Sequence, residues 1–154
     1  MFKLNRKTEY ALLSLRYLSG VTDERTIRSK EIAVHYQVPP QLLAKVLQEL
    51  KGAGWLASSQ GASGGYRLVV PLSDISFADL MECFSDHTGL VECVENSGCC
   101  AQEALCDIQT PMRVLDSAIG SLLSRISVGE LFADNVKRPR DLSIFSSYGI
   151  VESG

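Results

Sequence analysis

Long apolar runs are missing from this chain of 154 residues. None reaches the roughly eighteen residues of a membrane span, so no membrane partner is expected. The opening stretch, Met1 to Lys7, carries no apolar signal core and no small-residue cleavage site. It leads straight into an amphipathic segment, and a cytoplasmic location is the expectation. The two histidines, His35 and His87, have no acidic or nucleophilic partner at motif spacing, which leaves a hydrolase reading little to stand on. A cysteine nucleophile would lack a positioned base. There is no nucleotide-binding glycine loop and no evident internal repeat. The chain therefore reads as a non-enzyme with no small-molecule substrate.

What is present is ordinary for a soluble globular protein: 45% hydrophobic and 21% charged residues. The length suffices for one good core and an extra arm. The net charge of -3 conceals a division. Residues 1–70 hold ten Lys/Arg and five Asp/Glu, a net of +5, whereas residues 71–154 hold five and thirteen, a net of -8. A basic half joined to an acidic half suggests a polyanion-binding module coupled to something else; chance segregation of solvated charge is the bland alternative.

Local patterning predicts the elements. Residues 8–19 read as a helix capped by Thr8, with Leu12, Leu13, Leu15 and Tyr17 as apolar faces and Gly20 as its stop. Residues 29–36 read as a second helix with Ser29 as N-cap and Ile32, Ala33 and Tyr36 inward. Gln37-Val38-Pro39 makes a tight connection. Pro40 opens a third helix in which Leu43, Val46, Leu47 and Leu50 repeat at helical spacing, and Gly52 and Gly54 end it. Strands are expected at 55–59 and 66–70 around a glycine-rich tip, residues 60–65. Two helices, a tight turn and a glycine-tipped hairpin form a winged helix-turn-helix, whose second helix reads the DNA major groove. Its outward positions are Gln41, Ala44, Lys45 and Gln48. Glutamine suits adenine, and lysine suits guanine or a phosphate; a merely solvated side chain is the alternative at each position.

Beyond Pro71, residues 76–85 read as a helix with a Ser76/Asp79 cap and an inner face of Phe77, Leu80, Met81 and Phe84. Cys83 within it reads as a buried, inert thiol. Thr110-Pro111 opens a long helix with a stripe of Leu115, Ala118, Ile119, Leu122 and Ile126, expected to pair with a second subunit. A short turn starts at Val128, and residues from Lys137 read as a poorly ordered tail.

Four of the five cysteines, Cys93, Cys99, Cys100 and Cys106, lie within fourteen residues among glycine and polar neighbours. In a reducing compartment such clusters are more often metal or redox sites than disulfides, and an odd count opposes full pairing. Soft thiolates suit iron–sulfur clusters and zinc. Zinc sites usually show paired C-x₂₋₄-C spacing, absent here. A metal-free thiol or disulfide switch is the third account.

Taken together, Leu4 to Leu12 with Thr8-Glu9-Tyr10-Ala11-Leu12, the span Leu42 to Leu68 with Gly64-Gly65-Tyr66, and the cysteine loop resemble the IscR/NsrR type of winged-helix regulator, the Rrf-two superfamily. The likeness spans residues 1 to about 134. It implies a homodimeric, cytoplasmic transcription regulator binding a double-stranded DNA operator. It also implies an iron–sulfur cluster, usually 2Fe-2S, held by three thiolates and one further ligand. Cys93, Cys100 and Cys106 match the thiolates, with Cys99 as alternative to Cys100. The IscR type has a histidine three residues after the last cysteine; Gln109 stands there. In other members an acidic residue of the partner's first helix is the fourth ligand, and Glu9 matches it. On the wing, Ser59, Gln60, Gly64 and Arg67 are the implied DNA-contacting positions, although Gln60 stands where arginine is common.

The fold class expected is mainly α with a small β-hairpin wing: a winged helix-turn-helix over 1–72, a sensor loop and dimerisation helix over 73–134, and a flexible tail over 135–154.

Overall fold

Asn5, rather than Thr8, opens the first helix of the structure, a computed structural model that describes residues 4–21, 25–61, 64–84 and 105–133. Helix α1 spans Arg6–Ser19. The Asn5 carboxamide oxygen accepts from the Thr8 N–H at 2.8 Å and from the Thr8 hydroxyl at 3.0 Å. Thr8 itself is buried. A capping residue must keep extended backbone angles while its side chain reaches forward three residues, and Asn5 does both. Its amide nitrogen also donates to the Phe84 carbonyl at 2.8 Å, tying the start of α1 to a segment 79 residues away. Asn5→Ala should therefore cost about 1–2 kcal/mol, a lost cap plus an orphaned carbonyl. Urea unfolding should show it as a lower midpoint at unchanged slope.

Helix α2, Ser29–Tyr36, begins at Ser29 with Arg28 in the cap position and no capping side-chain bond, so Ser29 is a helical residue and not the cap. Gln37 ends it in the left-handed region, φ 54°, and Val38 N–H returns to the Ala33 carbonyl at 3.0 Å. Pro40 then stands at the first position of α3, Pro40–Gly52. Leu43, Val46, Leu47 and Leu50 are all fully buried, as their spacing required. Gly54, at φ 81°, turns the chain into β1, and Trp55 N–H is held by the Leu50 carbonyl at 3.1 Å.

Strands β1, Leu56–Ser59, and β2, Gly65–Leu68, pair antiparallel with Leu56 opposite Leu68 and Ser58 opposite Tyr66. A third chain segment joins them. Ile27 exchanges two backbone bonds with Tyr66, each 2.8 Å, and is completely buried. Gly65 is the residue that allows this approach: a Cβ there would stand 2.6 Å from the Ile27 carbonyl carbon and oxygen.

After a single 3-10 turn at Leu72–Asp74 comes α4, Phe77–Phe84, whose Leu80 and Phe84 are buried beside α1. Helix α5, Gln109–Ser124, starts at Gln109, one residue before the expected cap Thr110. Pro111 is tolerated there because first-turn N–H groups have no intrahelical acceptor. A final turn, α6, spans Val128–Leu131.

The chain closes on itself in a way its periodicity did not announce. Ile75-Ser76-Phe77-Ala78-Asp79-Leu80 and Ile126-Ser127-Val128-Gly129-Glu130-Leu131 are similar hexapeptides, too short to register as a repeat. They meet antiparallel: Phe77 N–H donates to the Ile126 carbonyl at 2.7 Å and Val128 N–H to the Ile75 carbonyl at 2.8 Å. Each then starts a helix with reciprocal capping, Ser76 with Asp79 and Ser127 with Glu130. Ile75 and Val128 are buried in the main core. This clasp pins the far end of α5 to the helical unit.

Backbone and hydroxyl donation from Ser127 hold the Glu130 carboxyl below its usual pKa. Its stabilising contribution is present above the unfolded-state pKa and is lost as pH falls through the lower folded value. Acidification should therefore lower the protection of the Glu130 amide relative to its intrinsic exchange rate, since its own N–H is bonded to the Ser127 hydroxyl. Ser127→Ala should weaken that dependence without abolishing it, because the hydroxyl donor is lost while the backbone N–H remains.

The sequence stretch 87–104 and the expected tail lie outside the described residues. Among the described residues, no helix is long and apolar enough to cross a membrane.

Candidate nucleic-acid interface and sensor segment

On α3, the side that does not enter the core presents Gln41, Lys45 and Gln48, all exposed. Successive spacings of four and three residues place them on one helical face. Ala44 is only half-buried and Leu42 likewise, so the reading face is narrower than the sequence suggested, with Ala44 at its margin. Gln48 is also not free: its Nε2 donates to the Tyr66 hydroxyl at 2.7 Å. Burial raises the pKa of that phenol.

On the wing, Ser59, Gln60 and Gly61 are exposed at the end of β1. Gly61 has φ 101°, and Gly64 N–H returns to its carbonyl at 3.0 Å. Gly64 sits tightly under this turn; a Cβ would lie 2.5 Å from the Ser59 carbonyl oxygen. Arg67 is exposed but follows Tyr66 in the strand, so it projects from the opposite face of the hairpin. There it lines a shallow groove with Leu18, Ser19, Arg25 and Val70.

Of the expected ligand residues, Cys106 is described and half-buried just ahead of α5. Cys93, Cys99 and Cys100 lie outside the described residues. Glu9 stands in the first turn of α1, partly exposed, with its carboxylate 3.6 Å from Arg6. Among the described residues no three metal-type side chains come together. The donor chemistry still suits a cluster, since thiolates with one carboxylate form a soft, asymmetric ligand set. Cys83 is half-buried on α4, and its thiol pKa is raised by burial and by Glu49, partly offset by Lys7. A thiol so disfavoured as thiolate fits the inert role expected of it.

One feature escaped sequence reasoning, the Gln48–Tyr66 bond; the long helix, whose stripe is expected to need a partner surface, leaves apolar side chains exposed. No residue of α5 is buried, and Leu115 is 40% exposed, Val114 43% and Ile108 at its start 63%. The apolar stripe is covered in part: the helix packs against α4, and Ala118, Ile119 and Leu122 are half-buried while Val114 and Leu115 stay exposed.

A helix-turn-helix with a two-stranded wing, followed by a long apolar-striped helix, defines a winged-helix regulator. A family profile described as Rrf2, iron-dependent transcriptional regulator, matches residues 4–134, and the chain belongs to that family. It is 27% identical over 139 residues to protein rrf2 of Nitratidesulfovibrio vulgaris, covering 90% of this chain and 93% of that one. It is 24% identical over 152 residues to the HTH-type transcriptional regulator IscR of Vibrio parahaemolyticus, covering 96% and 90%. The fold is also that of CymR, the global cysteine regulator of Bacillus subtilis, with TM-score 0.65 and 22% identity over 88% of this chain and 99% of that one. Members of the family are transcriptional regulators, and DNA is the ligand the fold is built for.

Proposed function

We propose that this protein is a homodimeric, sequence-specific DNA-binding transcription regulator whose operator affinity is set by an iron–sulfur cluster, most simply 2Fe-2S. The observation that carries the DNA-binding half is the row Gln41, Lys45 and Gln48, solvent-facing on a helix whose opposite face is wholly core. Residues 1–72 act as the reader, with Ser59, Gln60, Gly64 and Arg67 as its wing, and residues 73–134 as sensor and dimer arm. The exposed Val114 and Leu115 of α5 support pairing with a second copy.

Cys93, Cys100 and Cys106, with Glu9 of the other subunit, would hold the cluster; Cys99 is the alternative to Cys100. When bound, such a cluster supplies a centre sensitive to oxidants, nitric oxide and iron supply. The carboxylate is the weakest donor of the set. Because Glu9 lies on α1, which packs against the reader helix, its engagement would bias the position of the DNA-binding unit. The reading is supported by the donor set and by relatives such as IscR.

The test is anaerobic purification with an absorption spectrum, iron and sulfide counts, and operator binding, beside Cys106→Ser and Glu9→Ala. Visible absorption and bound iron in the unmodified protein, lost in Cys106→Ser, are expected. A colourless protein that refuses reconstitution would sink the cluster. Lys45→Ala should weaken operator binding about tenfold, and more on the operator than on random DNA if it reads a base.

A second reading, control by cysteine oxidation without metal, is favoured by one observation: Cys99 and Cys100 are adjacent. It predicts that peroxide changes operator affinity in iron-free protein and that thiol reductant reverses the change.

A further inference from the structure

The most consequential polar contact outside the proposed ligand set joins the reader helix to the wing. Gln48 Nε2 donates to the Tyr66 hydroxyl at 2.7 Å. Tyr66 is the best-anchored residue of the hairpin. Its backbone N–H and carbonyl are both bonded to Ile27 at 2.8 Å on one edge, and it faces Ser58 of β1 on the other. Gly65 before it is pressed against the Ile27 backbone with no space for a side chain. The hydroxyl is thus presented from a fixed platform, whereas Gln48 extends from an exposed helical surface with several rotatable bonds.

The hairpin is otherwise tied to α3 mainly at its base, where Trp55 N–H meets the Leu50 carbonyl at 3.1 Å. The Ile27 bridge fixes Tyr66 in the sheet, and the Gln48 side chain adds a restraint between that platform and the exposed face of α3 which the bonds at Trp55 and Ile27 do not supply.

We infer that Gln48 and Tyr66 form a brace that fixes the angle between recognition helix and wing, so that Tyr66 is a positioning residue for operator recognition and Gln48 acts mainly through it. The inference rests on the proposed DNA interface. It gives Gln48 a role different from Gln41 and Lys45, although the three share a helical face. Losing the brace leaves every base-contacting group in place but makes the bound geometry one of several, which weakens affinity without changing preference.

Full-length protein with Gln48→Ala, Tyr66→Phe and both changes would be titrated against a duplex selected from a randomised library by the unmodified protein. The same duplex with single base-pair changes, and a random duplex, complete the set. Each single variant should bind the selected duplex about three- to tenfold more weakly. The double variant should bind no more weakly than the worse single one. The ranking of base-substituted duplexes and the melting temperature should stay as in the unmodified protein. Additive losses would overturn the brace, as would unaltered affinity in Tyr66→Phe. Relaxed preference at one base pair in Gln48→Ala alone would make Gln48 an independent reader and overturn it too. Gln41→Ala and Lys45→Ala, measured alongside, separate the two levels. If they bind like the unmodified protein while the brace variants lose affinity, the reading face assigned to α3 is wrong and the brace stands. If only they lose affinity, the interface stands and the brace falls.

Discussion

Gly65→Ala should lower stability by on the order of 2–4 kcal/mol, a large part of the 5–15 kcal/mol typical of a domain. The added methyl would stand 2.6 Å from two atoms of the Ile27 backbone and 2.9 Å from a third. Backbone cannot rotate aside as a side chain can. The bridge between Ile27 and Tyr66 must open, and with it the site where the hairpin is fastened to the helical core. Gly52→Ala is the matching control. It lies at the end of α3 with nothing within 4 Å of its would-be Cβ, and alanine is the better helix former. Thermal melting should show a fall of many degrees for Gly65→Ala and no fall for Gly52→Ala. Equal effects at both positions would refute the steric account.

Leu47→Ala should cost about 2–5 kcal/mol through lost burial and the cavity left behind. Leu47 is completely buried and lies on α3 between two exposed positions, Gln48 beside it and Lys45 two residues before. The expected signature is a large drop in denaturation midpoint. DNA affinity, measured well below the melting temperature, should stay within about threefold of the unmodified protein, since a core change well below that temperature leaves the surface groups in place. Lys45→Ala should give the reverse pattern, with weakened binding and unchanged melting. The pair separates the two faces of one helix.

Much of the architecture could be read from local rules. The α3 periodicity marks Leu43, Val46, Leu47 and Leu50 as core, and all four are buried. Pro40 at the start of α3, the Ser76/Asp79 cap and the glycine-tipped hairpin also follow from residues a few positions apart. In α1 the expected inner face was less exact. Leu12 and Leu13 are only half-buried, while Thr8, Ala11 and Ser14 are buried. Close helix packing selects small residues there over large apolar ones, and Ser14 is accommodated because its hydroxyl returns to the Tyr10 carbonyl at 2.7 Å. Thr8 and Ser29 were assigned caps by residue type, yet backbone geometry gives those positions to Asn5 and Arg28.

The sequence alone established the family-defining order of elements, the outward row on the reader helix and the thiol-rich segment that suits a soft metal centre. These are set by spacing and by the chemistry of single residues, which act over one or two helical turns. It could not establish which distant segments lie side by side. Ile27 against Tyr66, Asn5 against Phe84, Ile75 against Val128 and Gln48 against Tyr66 are contacts between residues 18 to 79 positions apart. The backbone pairings among them, Ile27 with Tyr66 and Ile75 with Val128, carry no residue-type signature, because every N–H and carbonyl can make them, and the two side-chain bonds depend on the same distant juxtaposition. Only the packed arrangement of the core chooses among them, and that choice sets the wing against the helix and fastens the far end of α5 to the segment that opens α4.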